Sequence, residues 1–490
     1  MRHGMRSLRL LLALVLVAAI TGATVAAASA GPVAPSAWTT FDYNAQRTGV
    51  GPSDTGVTAA ALGSLRRTVV RLPGTVDSAA VALTNVRVRG ARHDIAIVTT
   101  SYGRTLALNL ANGRILWQFA PASVRSLQGG PQITTAAPVL DPSLAYVYVT
   151  SPDGYVHKLR VASGRPVWST RVTAAPAREK LAGSLNLADG ELIVVTGGYY
   201  GDVPTYQGHV VTIDPATGVI THVFNTLCSN IKRLIEPPTR CRASDSAIWG
   251  RPGSVVVPGT GDILVATGNG PFNGRTAWGD SVLELSPALR LLRHWTPVDQ
   301  VQLNADDKDL GSTEPALLPT HGGVQFAVQG GKQGVLNLLD INRLASSRGS
   351  GGSRTGGSLQ TIAGPGATDI YSQPAVWRAP GGRVYVFVTS NSGTAAYALT
   401  AARRLRVAWQ NGQAGTSPVV AGGLLYVYNQ LQGVLNVYNP ANGHLYRALP
   451  AAPGHWNSPI VLAGTIVLPV GDDNAHLRTG ELFIYHLPRR

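Results

Sequence analysis

This chain predicts an all-β fold: an eight-bladed β-propeller of four-stranded blades closed by an N-terminal strand. Three observations carry the prediction: a repeated glycine-to-glycine unit, a longer period of apolar runs around it, and a final repeat one strand short. The unit spans ten residues, from Gly103 to Gly113, Gly154 to Gly164, Gly208 to Gly218 and Gly433 to Gly443. Apolar residues stand inside each one (Leu106, Val156 with Leu159, Val210 with Ile213, Leu435 with Tyr438). A turn-forming Asn112, Ser163, Thr217 or Asn442 precedes the second glycine. Each unit therefore reads as strand, tight turn, strand. Self-similarity of this kind marks a repeat architecture.

The full repeat is wider. Each begins with a short apolar run opened by a small residue or proline, at Ala80, Pro138, Ser184, Ser254, Pro315, Pro374, Pro418 and Pro459. The intervals run from 41 residues, Pro418 to Pro459, to 70, Ser184 to Ser254. The shortest match a four-stranded blade of roughly 40–50 residues, and the longer ones carry insertions. A second apolar run follows each opening, as at 146–149, 191–195 and 424–428. The last repeat offers only the runs 458–462, 465–470 and 481–487. Residues 65–72, before the first complete repeat, supply the missing strand, which would seal the ring and remove its open edges. No long stretch has a helical apolar period.

Composition agrees: 56 glycines, 32 prolines and only 14% charged residues suit many short strands joined by tight turns. The 490 residues divide into an export signal over 1–30, an N-terminal extension over 31–64 and one propeller over 65–490. The signal is read from Arg2, Arg6 and Arg9 ahead of an apolar run over 10–20, then a small-x-small cleavage site at Ala28-Ser29-Ala30. An uncleaved anchor is the alternative, and no other stretch of the chain is long and apolar enough to span a membrane. The mature protein is expected to be a secreted or cell-envelope monomer. Cys228 and Cys241 lie in one insertion between the third and fourth repeats, where an oxidising compartment favours a disulfide. Residues 346–358, rich in glycine and serine, read as a flexible loop.

The formal net charge of +15 falls to +12 without Arg2, Arg6 and Arg9, and no basic run exceeds two residues. This is the pattern of a solvated basic surface, and no nucleic-acid motif accompanies it. A Cys-x-x-Cys-His sequence is absent, which excludes covalent haem.

The phrases DGYVHKLRVASGRPVW (153–168) and GRTLALNLANGRILW (103–117) resemble the blade repeat of pyrroloquinoline quinone (PQQ) propellers. That superfamily holds quinoprotein alcohol dehydrogenases, polyvinyl-alcohol-dehydrogenase-like proteins and a non-enzymatic outer-membrane assembly propeller. The stretch IWGRPGSVVVPGTGDILVATGNGPF (248–272) is similar to the dehydrogenases' tryptophan-bearing blade. The resemblance places a cofactor floor at Trp249 and a calcium ligand at Asn269. HWTPVDQVQLNADDKDLGSTEPALL (294–318) resembles the segment of the catalytic aspartate, with Asp309 the first choice and Asp307 the second. GGKQGVLNLLD (330–340) places the quinone-contacting cation at Lys332. The family's glutamate ligand would fall at 197–201, where no acid stands before Asp202, and its vicinal cysteine pair is missing.

The chemistry implied is coherent. An indole offers a flat surface to a quinone ring, a cation stabilises charge developing on the quinone oxygens, and a carboxylate serves as general base. Calcium needs six to eight oxygen ligands, so that ligand set is incomplete. Each residue also has a structural reading: Trp249 as a blade-packing tryptophan like Trp117 or Trp168, Asn269 as a turn residue, the aspartates and Lys332 as solvated surface. Two functions follow from the resemblance. One is a PQQ-dependent oxidoreductase acting on a small-molecule alcohol or sugar. The other is a cofactor-free propeller that binds an envelope protein or glycan.

Overall fold

The computed structural model describes residues 36–236, 240–320, 323–346 and 358–488. The export signal read over 1–30, and residues 347–357 of the Gly/Ser loop, lie outside them. The described chain is all-β, with eight four-stranded antiparallel blades in a ring. Blade 1 begins with Val81–Val88, blade 2 with Val139–Leu140, blade 3 with Asn186–Ala188 and blade 4 with Val255–Val256. Blades 5 to 8 begin with Ala316–Leu317, Ala375–Arg378, Val419–Ala421 and Ile460–Leu462. Blade 8 has three strands from the C-terminal end and takes its fourth from Arg66–Leu72. That strand pairs with Gly480–His486 from Arg66↔His486 to Leu72↔Gly480. This is the closure expected from the short last repeat.

The repeated glycine is explained at the joints between blades. Gly164 and Gly443 adopt φ of 68° and 73°, a turn conformation that disfavours any side chain. A Cβ on Gly164 would come within 2.5 Å of the Trp117 ring, and one on Gly443 within 2.6 Å of Trp409. Each tryptophan belongs to the outer strand of the preceding blade and donates its indole N–H to the next turn, Trp117 to Val161 O at 2.7 Å and Trp409 to Pro440 O at 2.9 Å. Glycine and tryptophan thus form one joint. Third strands such as Thr105–Asn109 and Val282–Leu285 are buried throughout because both faces meet neighbouring blades. The outermost Arg66–Leu72 alternates toward solvent instead. The clusters between blades are apolar, as where Ile95, Ile97 and Trp117 meet Leu140, Val147 and Leu159, and each fully buried Val, Leu or Ile contributes roughly 1.5–3 kcal/mol.

Two faces of the ring differ. Each blade zigzags, so leads into first strands share one face with the loops joining second to third strands. On the other face the N-terminal extension crosses the far ends of the first strands. Ala37 pairs with Leu83 of blade 1, and Thr39 O accepts from Leu140 N of blade 2. Ala45 O accepts from Val256 N, Thr48 O from Val376 N and Gly49 O from Val420 N, in blades 4, 6 and 7. Arg47, fully buried, ties this strap to the carbonyls of Ser184, Leu185 and Ser254. No helix among the described residues is long and apolar enough to cross a membrane.

Candidate functional site

The face opposite the strap gathers every candidate residue. The lead into blade 4 holds the Cys228–Cys241 disulfide, which is formed, over a small apolar cluster of Leu227, Ile235 and Ala277. The same lead ends at Trp249. The second-to-third-strand loop of blade 4 carries Asn269, that of blade 5 carries Lys332, and the lead into blade 5 carries Asp307 and Asp309. In that lead the helix Gln300–Ala305 stops with Asp307 at φ 54°, and Lys308 N returns to Leu303 O at 2.9 Å. This is a left-handed helix ending, and it turns the two aspartates toward the neighbouring loops.

Residues spread over more than eighty positions of sequence meet here. Lys332 Nζ lies 2.5 Å from Asp309 Oδ2 and 3.1 Å from Asp307 Oδ1. Asn269 donates its backbone N–H to Asp309 Oδ1 at 2.7 Å and its side-chain amide to Asp307 Oδ1 at 2.8 Å. The ammonium also lies 5.5 Å from the centre of the Trp249 ring, within cation–π range. Gly268 makes the close approach possible, since a Cβ there would stand 2.2 Å from Asp309 Oδ1 and 3.2 Å from Trp249 Nε1. Asp309 is buried and Asp307 exposed.

The electrostatics follow from that burial. Desolvation raises the Asp309 pKa, and Lys332 with the Asn269 N–H pulls against it without cancelling it. Desolvation works to lower Lys332, but Asp309 and then Asp307 outweigh it and hold the ammonium above its usual range. An ammonium has three donors, and two face carboxylates, so one N–H remains available.

Sequence reasoning missed several neighbours. Tyr371 packs on Trp249 at 6.1 Å and on Trp456 at 4.9 Å, extending the aromatic surface toward blade 8. Tyr371 donates to Asp369 at 2.7 Å, and Lys308 reaches the same carboxylate at 3.0 Å. A signal existed: Tyr371 and Trp456 each stand three residues before an opening proline, Pro374 or Pro459, in leads that converge on one face. Asp280 was also missed. It is fully buried, accepts from Leu310 N at 3.1 Å, and burial together with Asp309 pushes its pKa up to about 8. Because the folded carboxyl keeps its proton to about pH 8 and the unfolded one to about pH 4, its contribution is complete below pH 4 and lost as pH rises through 8. Asp280→Asn should therefore lose less melting temperature between pH 6 and pH 9 than the native chain does. Equal losses in parallel thermal melts would remove Asp280 as the cause.

The donor set suits a quinone better than calcium. A partly buried indole backed by Tyr371, with a cation at its edge, fits a flat anionic ring system. Calcium would find Asn269 Oδ1, buried and without a hydrogen bond, but both aspartates already share the Lys332 ammonium. The loop 197–201 brings tyrosines. Glu179, which pairs beside it at Gly198, is taken by Thr173, by His209 at 3.1 Å and by Gln207 N. Asp202 accepts from Tyr206 at 2.7 Å. The ligand set that was incomplete in sequence stays incomplete in space.

Comparison with known proteins adds to this geometry. A family model described as the outer membrane protein assembly factor BamB, one of the PQQ-type repeat models, matches residues 103–290. A quinohemoprotein alcohol dehydrogenase (ADH IIB) of Pseudomonas putida is 27% identical over 221 residues, 41% of this chain and 31% of that protein. The chain is a β-propeller with PQQ-type repeats matched over residues 103–290. The matched stretch covers less than a third of that dehydrogenase. In fold, this PQQ-like propeller is similar to the quinohemoprotein alcohol dehydrogenase of Comamonas testosteroni, with a TM-score of 0.65 at 16% identity over 93% of this chain and 81% of the other. It is also similar to BamB of Moraxella catarrhalis, with a TM-score of 0.52 at 13% identity over 86% and 99%.

Proposed function

We propose that this PQQ-like propeller is an extracytoplasmic quinoprotein oxidoreductase that acts on the hydroxyl of a small alcohol or sugar. The observation that supports it most is the convergence of Trp249, Asn269, Asp309 and Lys332 from four separate loops. PQQ, when bound, supplies the two-electron acceptor. Trp249 is the platform for its ring, and the free N–H of Lys332 provides a fixed positive charge at the platform's edge. Lys332 thereby stands where a metal would otherwise be needed, since the acids that would hold calcium are paired with it. Asp309 is the proton acceptor for the substrate hydroxyl; burial makes it a stronger base than a solvated aspartate. Asp307, exposed at the rim, orients Lys332 and Asn269. The disulfide fits an oxidising compartment.

Calorimetric titration of the purified protein with PQQ, with calcium and with a calcium chelator, tests this reading. Binding in the micromolar range or tighter, unchanged by the chelator, is the expected result. Absence of binding in both conditions would favour the cofactor-free propeller that holds an envelope protein or glycan, a reading supported by the unfilled calcium set and the BamB-type match.

A further inference from the structure

A second group of ligand-bearing side chains lies where the ring closes. Asp77 stands on the lead into blade 1, His455 on the lead into blade 8, and Asp472 and Asp473 follow the strand Thr465–Val470 of blade 8. His455 Nδ1 is 2.5 Å from Asp77 Oδ2, 3.4 Å from Asp473 Oδ1 and 3.9 Å from Asp472 Oδ1. One ligand atom from each of the four lies within 4.8 Å of the others, the one such grouping among the described residues. A second observation is independent of that clustering. Asp473 is 1% exposed, yet its Oδ1 has no closer donor than His455 Nδ1 at 3.4 Å, too long for a well-formed hydrogen bond. A buried carboxylate oxygen so weakly satisfied favours a cation.

We propose that Asp77, His455, Asp472 and Asp473 bind a divalent transition-metal ion of the class that takes mixed nitrogen and oxygen ligands, such as zinc. Bonds of about 2.0–2.2 Å in a tetrahedron set ligand atoms roughly 3.3 Å apart, and the three His455–carboxylate separations straddle that value. The outer oxygens of two ligands are already oriented. Arg251 Nη2 reaches Asp77 Oδ1 at 3.3 Å and Lys180 Nζ reaches Asp473 Oδ2 at 2.9 Å, whereas the N–H groups of Asn474 and Ala475 donate to Asp472 Oδ1, the oxygen that faces His455. Such supporting contacts fix ligand direction in metal sites. Arg251 and Lys180 balance two of the three carboxylates, and all three face the His455 imidazole. Entry is open on one side, where the Asp472 and His455 side chains are 38% and 22% exposed. An imidazole nitrogen discriminates against calcium and magnesium, which prefer oxygen alone. Because the ligands come from blades 1 and 8, the ion would also clamp the seam of the ring.

The test is titration of untagged, chelator-treated protein with zinc and with calcium, by calorimetry and by thermal melting. One zinc per chain at micromolar affinity or tighter is expected, with a rise in melting temperature that EDTA reverses and calcium binding at least about tenfold weaker. Asp472→Asn, a partly exposed change that leaves the buried pairs intact, should weaken zinc about tenfold or more, and His455→Gln should abolish binding. Failure to bind zinc would overturn the proposal. So would binding and a melting shift unchanged in both variants, or calcium bound as tightly as zinc.

Discussion

Replacing Arg47 by alanine is expected to destabilise the propeller by about 3–5 kcal/mol, the range for removing one partner from a buried charged network. The guanidinium is 0% exposed and makes five hydrogen bonds: to Thr40 Oγ1 at 2.6 Å, Phe41 O and Leu185 O at 2.8 Å, Ser254 O at 3.3 Å and Ser184 O at 3.4 Å. Burial lowers its pKa to about 9, while Asp42 and Glu314 oppose that fall. The alanine variant would strand these carbonyls without a donor and leave both buried acids without their cation. Arg47→Lys should recover little, because a point-like ammonium cannot span carbonyls on two blades and the strap. The midpoint of chemical denaturation measures the effect. A change below about 1 kcal/mol would mean that the strap is not anchored through Arg47.

Lys332→Ala should lower turnover of quinone-loaded protein by about 10²–10³-fold, the size of losing one preorganised charge stabiliser. Asp309→Asn should lower it by about 10²–10⁴-fold, as expected for a general base. The two single variants differ in stability. Lys332→Ala leaves Asp309 buried beside only the Asn269 N–H and should destabilise by about 1–3 kcal/mol. Asp309→Asn keeps an acceptor for that N–H and should change stability little. The double variant Lys332→Ala/Asp309→Asn decides between roles, because it removes the stranded charge along with its partner. Stability regained without activity would support the catalytic assignment. Activity that returns with stability would reduce the pair to a structural ion pair.

The two halves of this site were unequally legible. The resemblance pointed to Trp249, Asn269, Asp309 and Lys332 because short motifs around each survive in the chain. The carriers of Tyr371 and Trp456 are leads without such motifs, and a lone aromatic before a proline does not announce its neighbours. The seam cluster was harder still. Asp77 and His455 are separated by most of the chain, and only ring closure brings them to 2.5 Å.

The order of strands, the count of blades and the closing strand were determined by the sequence alone, because glycine spacing and apolar runs report local geometry that holds wherever the segment sits. Trp117 and Trp409 could be read as packing residues for the same reason: their joint recurs between Trp168 and Gly218. What only the tertiary structure decided was which face each loop occupies and which charges meet there. The strap of residues 36–52 could not be read from its composition, since its hydrogen bonds go to carbonyls and amides of six different blades. The pairing of Lys332 with both aspartates depends on angles between blades that no local pattern encodes. Propensity and periodicity act over a few residues, whereas electrostatics and ligation act through space.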